Sequence, residues 1–262
     1  TVQSAYLFTG PSGTGKTTSA RIFANMINAG KGNPIEVDAA SNSGVDNIRQ
    51  IIEDAKRKPL DAEYKIFIVD ECHSLSSESW QALLKTLEEP PKFTIFIFCT
   101  TNPEKIPATI LSRVQRFQFN KISQKGIFTR LCNIMAMEHY PEPDMDALEF
   151  IAKVSSGGMR DAITLMDKCL SLSSYLTLEN VLKTIGSEDY STFITFLSAL
   201  EEKEKEVSIK VVEDVYNSGK DVKQFMKDFA KFILEVEKYA IYGNFDYVNV
   251  PNTLESNLEQ LN

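Results

Sequence analysis

At 262 residues the chain exceeds one compact domain of typical size, and two or three domains are expected. Its 43% hydrophobic and 24% charged residues are those of a soluble globular protein, and with no apolar run near the roughly 18 residues that span a bilayer and no signal-peptide pattern in the first ten, a helical membrane protein is excluded and a cytoplasmic one expected. The formal net charge of -8 is uneven, because residues 186–262 hold 15 acidic and 8 basic side chains while every arginine lies at or before Arg160; phosphate recognition is expected in the first two thirds.

In chain order, a short apolar run at 5–9 predicts a strand, followed by Gly10-Pro11-Ser12-Gly13-Thr14-Gly15-Lys16-Thr17 and a helix at 17–27. Strands are predicted at 35–38, 65–70, 94–100 and 114–119, with helices at 45–56 and 77–89 between them. Such alternation implies a parallel sheet covered on both faces. From residue 121 the strand signal disappears, and helices are expected at 124–138, 145–155, 159–170 and 178–184, then a further helical set beyond Gly186. In that last set Phe225, Phe229, Phe232, Val236 and Tyr239 recur at helical spacing. The stripe suits either an internal core or a subunit interface.

The glycine-rich segment fits G-x-x-x-x-G-K-[ST], and it lies between a predicted strand and a predicted helix, as the motif requires. Glycines let the loop wrap so that backbone N–H groups point at phosphate oxygens, helped by the helix N-terminus. Gly10, Gly13, Thr14, Gly15, Lys16, Thr17 and Thr18 are therefore the expected nucleotide contacts, with Lys16 on the β- and γ-phosphates and Thr17 on Mg²⁺. Further on, the apolar strand Ile66-Phe67-Ile68-Val69 ends in Asp70 and Glu71. Asp70 suits Mg²⁺, and Glu71 suits the general base that polarises an attacking water. ATP hydrolysis with Mg²⁺ is the expected chemistry. His73, two residues on, reads as structural. The four cysteines form no C-x-x-C pair and have only two histidines beside them, so buried free thiols are expected, with no zinc.

Further segments carry a resemblance: Ser4-Ala5-Tyr6-Leu7-Phe8 leading into the loop, Glu36-Val37-Asp38-Ala39-Ala40-Ser41, and the run from Ala82 through Leu87-Glu88-Glu89-Pro90-Pro91. Thr100-Thr101-Asn102-Pro103, Leu111-Ser112-Arg113 and Gly157-Gly158-Met159-Arg160-Asp161 continue it. Over residues 1 to about 185 the sequence resembles the AAA+ clamp-loader ATPases, and within them the gamma/tau type of bacterial DNA polymerase III; beyond Gly186 the likeness is only general. The resemblance implies an α/β AAA+ P-loop domain with a parallel five-stranded sheet at 1–120, an α-helical lid at 121–185 and a partial α-helical collar at 186–262. With a strand predicted almost at its start and a last helical set that reads as unfinished, a fragment of a longer chain is expected. The resemblance further implies that Thr101 is the sensor-1 residue near the attacking water and that Arg160 reaches the γ-phosphate of its own subunit. Arg113 would be the finger that reaches ATP on a neighbouring subunit, and Ser41, Asn42, Arg49 and Lys105 would follow the DNA backbone.

The implied partners are other clamp-loader subunits in a ring, the sliding clamp and primer-template DNA, with no membrane and no polymerase site of the chain's own. Two departures stand out. Val114 follows Arg113 where the family usually has cysteine, a volume that valine fills. The short connection from Asn28 to Pro34 also lacks the four-cysteine zinc module usual in the bacterial family. Three alternatives stay open: a non-hydrolysing delta-prime-like subunit, against which Lys16, Thr17, Asp70 and Glu71 speak; another DNA-associated AAA+ ATPase; and a P-loop phosphotransferase.

Overall fold

The computed structural model of the protein describes residues 2–185, 190–245, 248–251 and 254–260. They form two compact units, one running to Ile122 and taking in Gly158–Arg160, the other made of Ser123–Gly157 and the chain from Asp161 onward.

The first unit is built on five strands, β1 (Ala5–Thr9), β2 (Ile35–Asp38), β3 (Lys65–Asp70), β4 (Thr94–Thr100) and β5 (Gln115–Gln118), in the order β2-β3-β4-β1-β5. Every neighbouring pair is parallel. Helix α1 (Lys16–Ile27) carries the chain from β1 across to β2, whereas α2 (Val45–Ala55), α3 (Ser77–Glu88) and α4 (Ala108–Leu111) belong to connections that step back the other way. Because crossovers between parallel strands are right-handed, opposite directions of travel require opposite faces of the sheet. The cores obey this. Ala20 and Ala24 of α1 pack with Tyr6, Phe8, Ile66 and Ile68, while Ile48 of α2 and Trp80, Leu83 and Leu87 of α3 pack with Leu7, Phe67, Val69 and Phe98.

Alternate residues of β3 and β4 thus feed two cores, which is why both strands are continuously apolar rather than alternating. Phe67 and Phe96 stack with ring centroids 5.3 Å apart. Parallel strands put the carboxyl ends of β1, β3 and β4 along one edge, where open α/β sheets bind ligands. At that edge the apolar pattern gives way to Gly10, Asp70 and Thr101.

The second unit is helical. It contains α5 (Gln124–Met137), α6 (Met145–Val154), α7 (Met159–Leu172, whose first two residues group with the sheet unit), α8 (Leu178–Ile185), α9 (Tyr190–Glu201), α10 (Lys205–Asn217), α11 (Val222–Tyr242) and α12 (Glu255–Gln260). The expected boundary between lid and collar coincides with residues 186–189, outside the described residues. The stripe on α11 is buried and packs with Phe193 and Phe196 of α9 and Val211 and Val215 of α10. Phe196 and Phe229 lie 4.8 Å apart by ring centroid. The stripe is an internal core, not a face turned to solvent. Lys153 of α6 is buried with its ammonium 4.2 Å from the centre of the Phe245 ring and donating to the Val250 carbonyl at 3.2 Å. Cation–π attraction and that bond replace the water the charge gives up. Among the described residues no helix is long and apolar enough to cross a membrane.

Candidate nucleotide site

The loop after β1 is shaped by its glycines. Gly10 has φ +147°, and a Cβ there would meet the Phe119 carbonyl oxygen at 2.2 Å, so nothing larger fits. Gly15 caps α1 in the left-handed region at φ 90°, which a β-carbon makes costly. Thr14 Oγ1 donates to the Pro11 carbonyl at 2.9 Å. Lys16 Nζ lies over the loop, donating to the carbonyls of Gly10 (2.9 Å) and Pro11 (2.8 Å). Burial lowers the Lys16 pKa, partly offset by the negative charges of Glu71 and Asp70, while the positive Arg160 lowers it further.

Thr17, on the first turn of α1, donates from Oγ1 to Asp70 Oδ2 at 2.6 Å. Asp70 Oδ1 accepts from the Glu71 N–H at 2.9 Å, and the Asp70 carbonyl accepts from Ala39 N–H at 2.9 Å. The two residues expected to hold Mg²⁺ are therefore in contact. Their hydroxyl and carboxylate oxygens are the hard donors that Mg²⁺ prefers, and a pair of them leaves room for phosphate oxygens and water. The donor set fits the ion.

Glu71 has left-handed backbone angles, φ 46° and ψ 41°, a conformation that costs a non-glycine residue about 1 kcal/mol and persists where the surroundings enforce it. Enforcement comes from the Asp70 carboxylate on its N–H and from the buried Cys72 that follows. The turn swings the Glu71 carboxylate toward the end of β4. Thr101 Oγ1 donates to Glu71 Oε2 at 3.4 Å, and His73 Nδ1 lies 3.2 Å from the same oxygen and 3.1 Å from Thr100 Oγ1. Both contacts fall on Oε2, and neither reaches Oε1. His73 and Thr100 join the site beyond the residues expected there; His73 lies two residues after Glu71, and Thr100 directly precedes Thr101 in one of the segments that carry the resemblance.

Arg160 belongs with this unit. Met159 N–H donates to the Gly13 carbonyl at 2.9 Å, and the Arg160 backbone nitrogen lies 3.4 Å from where a Gly13 Cβ would stand. Gly10, Gly13, Thr14, Gly15, Lys16, Thr17, Asp70, Glu71, Thr101 and Arg160 are thus drawn to one edge of the sheet. Thr18 is exposed on the first turn of α1. Next to the loop opens a cleft of about 720 Å³, lined by Thr9, Gly10, Pro11, Thr101, Arg116 and Lys121 among others.

Arg113 stands apart from this cluster. Its guanidinium donates to the Thr109 carbonyl, to Ser112 Oγ at 3.1 Å and to Glu88 Oε1 at 2.6 Å, none of which belongs to the phosphate loop. The expected DNA contacts are not gathered into one cluster. Ser41 Oγ donates to Asp38 Oδ2 at 2.7 Å and Asn42 Nδ2 to the Asp38 carbonyl at 3.0 Å. Arg49 pairs with Asp46 on the face of α2 at 3.1 Å, and Lys105 is exposed in the single turn Pro103–Lys105. Cys72, Cys99 and Cys169 are buried free thiols and Cys132 is partly exposed. Burial first, then the Asp70 charge, pushes the Cys99 thiol up to about 12. Among the described residues no group of three or more His, Cys, Asp or Glu side chains is arranged to hold a metal ion.

This sheet order, with the phosphate loop after β1 and carboxylates after β3, is an AAA+ ATPase-like fold. Among solved structures, the Thermotoga maritima RuvB Holliday junction branch migration motor superposes with a TM-score of 0.57 at 18% identity, covering 84% of this chain and 76% of that one. Sequence narrows the kinship. The Bacillus subtilis DNA polymerase III subunit tau is 37% identical over 98% of this chain and 50% of its own length, and the Mycoplasma genitalium DNA polymerase III subunit gamma/tau 35% identical over 98% and 46%. The chain is a homologue of the bacterial DNA polymerase III gamma/tau subunits, and it spans about half the length of the curated relatives it matches. A family model described as DNA polymerase III, delta subunit, matches residues 33–123. That stretch begins after the phosphate loop, whereas the tau and gamma/tau likeness extends over nearly the whole chain.

Proposed function

We propose that the chain is the ATP-hydrolysing motor region of a DNA polymerase sliding-clamp loader, which opens the clamp and loads it onto primed DNA during replication in the cytoplasm. The observation that carries this reading is the hydrogen bond of 2.6 Å between Thr17 and Asp70, with Lys16 and Glu71 beside it. A complete hydrolytic set distinguishes a motor from a non-hydrolysing delta-prime-like subunit.

In this reading ATP lies along the loop, its phosphates accepting from loop N–H groups and from Lys16 Nζ once that ammonium leaves the carbonyls of Gly10 and Pro11. Thr17 and Asp70 hold Mg²⁺, which supplies positive charge against the phosphate oxygens. Glu71, steadied through Oε2, takes a proton at Oε1 from a water that Thr101 orients. Arg160 reads the γ-phosphate of its own subunit. Arg113 reaches the phosphates on the neighbouring subunit, in keeping with its lack of any bond to its own loop.

Residues 121–185 act as a lid and 186–262 as part of a collar that joins subunits in a ring. ATP binding favours a spiral that holds the clamp open and grips primer-template DNA, and hydrolysis releases the closed clamp, a cycle driven by differential affinity for two states. Ser41, Asn42, Arg49 and Lys105 contact phosphate rather than bases. Neither zinc nor a polymerase active site takes part.

The test is ATP turnover by the reconstituted complex, with and without clamp and primed DNA, comparing wild type with Glu71→Gln. Turnover stimulated by both and lost in Glu71→Gln is the expected result. No turnover in wild type would return the chain to the delta-prime-like class, and turnover indifferent to DNA would move it to another AAA+ class.

A further inference from the structure

Two arms of the sheet unit start at the nucleotide site and end at Arg113. The first runs from Glu71 through the turn Cys72–Ser74 into α3, a rigid rod of roughly 18 Å whose last residue is Glu88. The second runs from Thr101 through the turn Pro103–Lys105 into α4, which Ser112 and Arg113 follow directly. Leu83 and Leu87 of the first arm share a core with Ile106 and Ile110 of the second.

The arms are joined at both ends. Near the nucleotide, Thr101 Oγ1 donates to Glu71 Oε2 at 3.4 Å. At the far end Arg113 Nη2 donates to Glu88 Oε1 at 2.6 Å. Arg113 Nη1 is taken up by its own arm, at the Thr109 carbonyl and Ser112 Oγ. Nε and one hydrogen of Nη2 are left over, and they make no bond among the described residues. A surface arginine that met one carboxylate would sample many rotamers; this one is gripped from two elements, and its side chain is only 33% exposed.

We infer that Glu88 is a positioning residue for Arg113. It closes the frame between α3 and α4 and fixes the guanidinium plane, so that the unused N–H groups are presented to an anion outside the subunit. The inference rests on the reading of Arg113 as a finger toward a neighbour's phosphates. It adds that the finger is aimed by a carboxylate whose helix begins beside the same subunit's own general base. A charge-assisted bond at one corner of a planar fork sets orientation as well as energy, and misaiming a reacting group by about 1 Å costs up to roughly 100-fold in rate.

The experiment compares Glu88→Ala, Glu88→Gln, Arg113→Ala and the double variant Glu88→Ala/Arg113→Ala, each in the full chain. Turnover is measured in the reconstituted complex, and affinity for a fluorescent ATP analogue separately. Glu88→Ala is expected to lower kcat about 10- to 100-fold with KM and analogue affinity unchanged. Glu88→Gln, which keeps an acceptor but not the charge, should lose less, and the double variant should be no slower than Arg113→Ala alone. In the unassembled chain Arg113 should react with phenylglyoxal several-fold faster, on the order of 3-fold, once Glu88 is alanine. Wild-type kcat in Glu88→Ala beside a dead Arg113→Ala would overturn the inference and leave the finger standing. Full turnover in Arg113→Ala would remove the finger itself, and with it the inference. Loss of analogue affinity or of thermal stability in both Glu88 variants would mark the pair as structural and also overturn it.

Discussion

The sheet unit and the helices α9 to α11 solve burial in different ways. In those helices the core is a repeat: Phe225, Phe229 and Phe232 of α11 close on Phe193 and Phe196 of α9, and almost any change in one ring is felt as lost packing. In the sheet unit the cores are also buried, but β1, β3 and β4 each end in residues that break the apolar run, and those breaks carry the hydrogen bonds, the left-handed backbone of Glu71 and the charges. Stability therefore sits in what repeats and chemistry in what interrupts. A substitution should disturb one and spare the other.

The sharpest test of that separation is Glu71→Gln. If the carboxylate acts as general base, turnover in the assembled complex falls by about 10² to 10⁴ while the urea midpoint of the chain stays within its error. A midpoint that fell with the rate would erase the distinction between interruption and repeat. Phe229→Ala is the mirror experiment, expected to cost about 3–5 kcal/mol by urea denaturation through an unfilled cavity, with the sheet unit's affinity for nucleotide retained. Coupled loss of both would show that the two units do not melt independently.

Smaller effects refine the picture. Ser76 caps α3, its Oγ accepting from Ser79 N–H at 3.1 Å, and Ser76→Ala should cost about 1 kcal/mol, read by thermal unfolding. Smallest is the pair Arg21–Glu36, bidentate at 2.7 Å but with side chains 56% and 40% exposed. The hydrogen bond from Arg21, more than its bare charge, holds the Glu36 carboxyl below its ordinary 4.5. A carboxyl depressed on folding stabilises above its unfolded pKa and loses that contribution as pH falls through the folded value. Glu36→Gln should then cost well under about 1 kcal/mol at pH 7 after solvent screening, and the difference from wild type should vanish as the pH is lowered below 4.5. A difference that persisted in acid would mean the two residues interact by packing, not charge.

The central strands β1, β3 and β4 were legible because they are buried on both faces, leaving continuous apolar runs, whereas the edge strands β2 and β5 are largely exposed; observed bounds lie within one or two residues of those expected. The gathering of Gly10, Lys16, Asp70 and Glu71 at one sheet edge was legible for the opposite reason, since these residues contradict their surroundings at fixed places. What periodicity could not supply was the partner. The stripe on α11 repeats identically whether it meets α9 of its own chain or a neighbour, and only the packed structure selects α9. The ties of His73 to Thr100 and of Arg113 to Glu88 join residues far apart in sequence, each from a short turn or the end of a four-residue helix to the last residue of a longer element, and no period within one element marks such a pairing.

The cysteines turn the two units into a pair of clocks. Cys72 and Cys99 are sealed beneath the nucleotide edge, Cys169 is buried in α7, and Cys132 on α5 is within partial reach of solvent. A thiol must be both uncovered and ionised to react, and burial raises all four. Under native conditions an alkylating reagent will mark Cys132 early and the others only as fast as the structure around them opens. The order in which the remaining sulfurs are consumed records, without any engineered label, which half of the molecule breathes first and whether bound nucleotide slows that half alone.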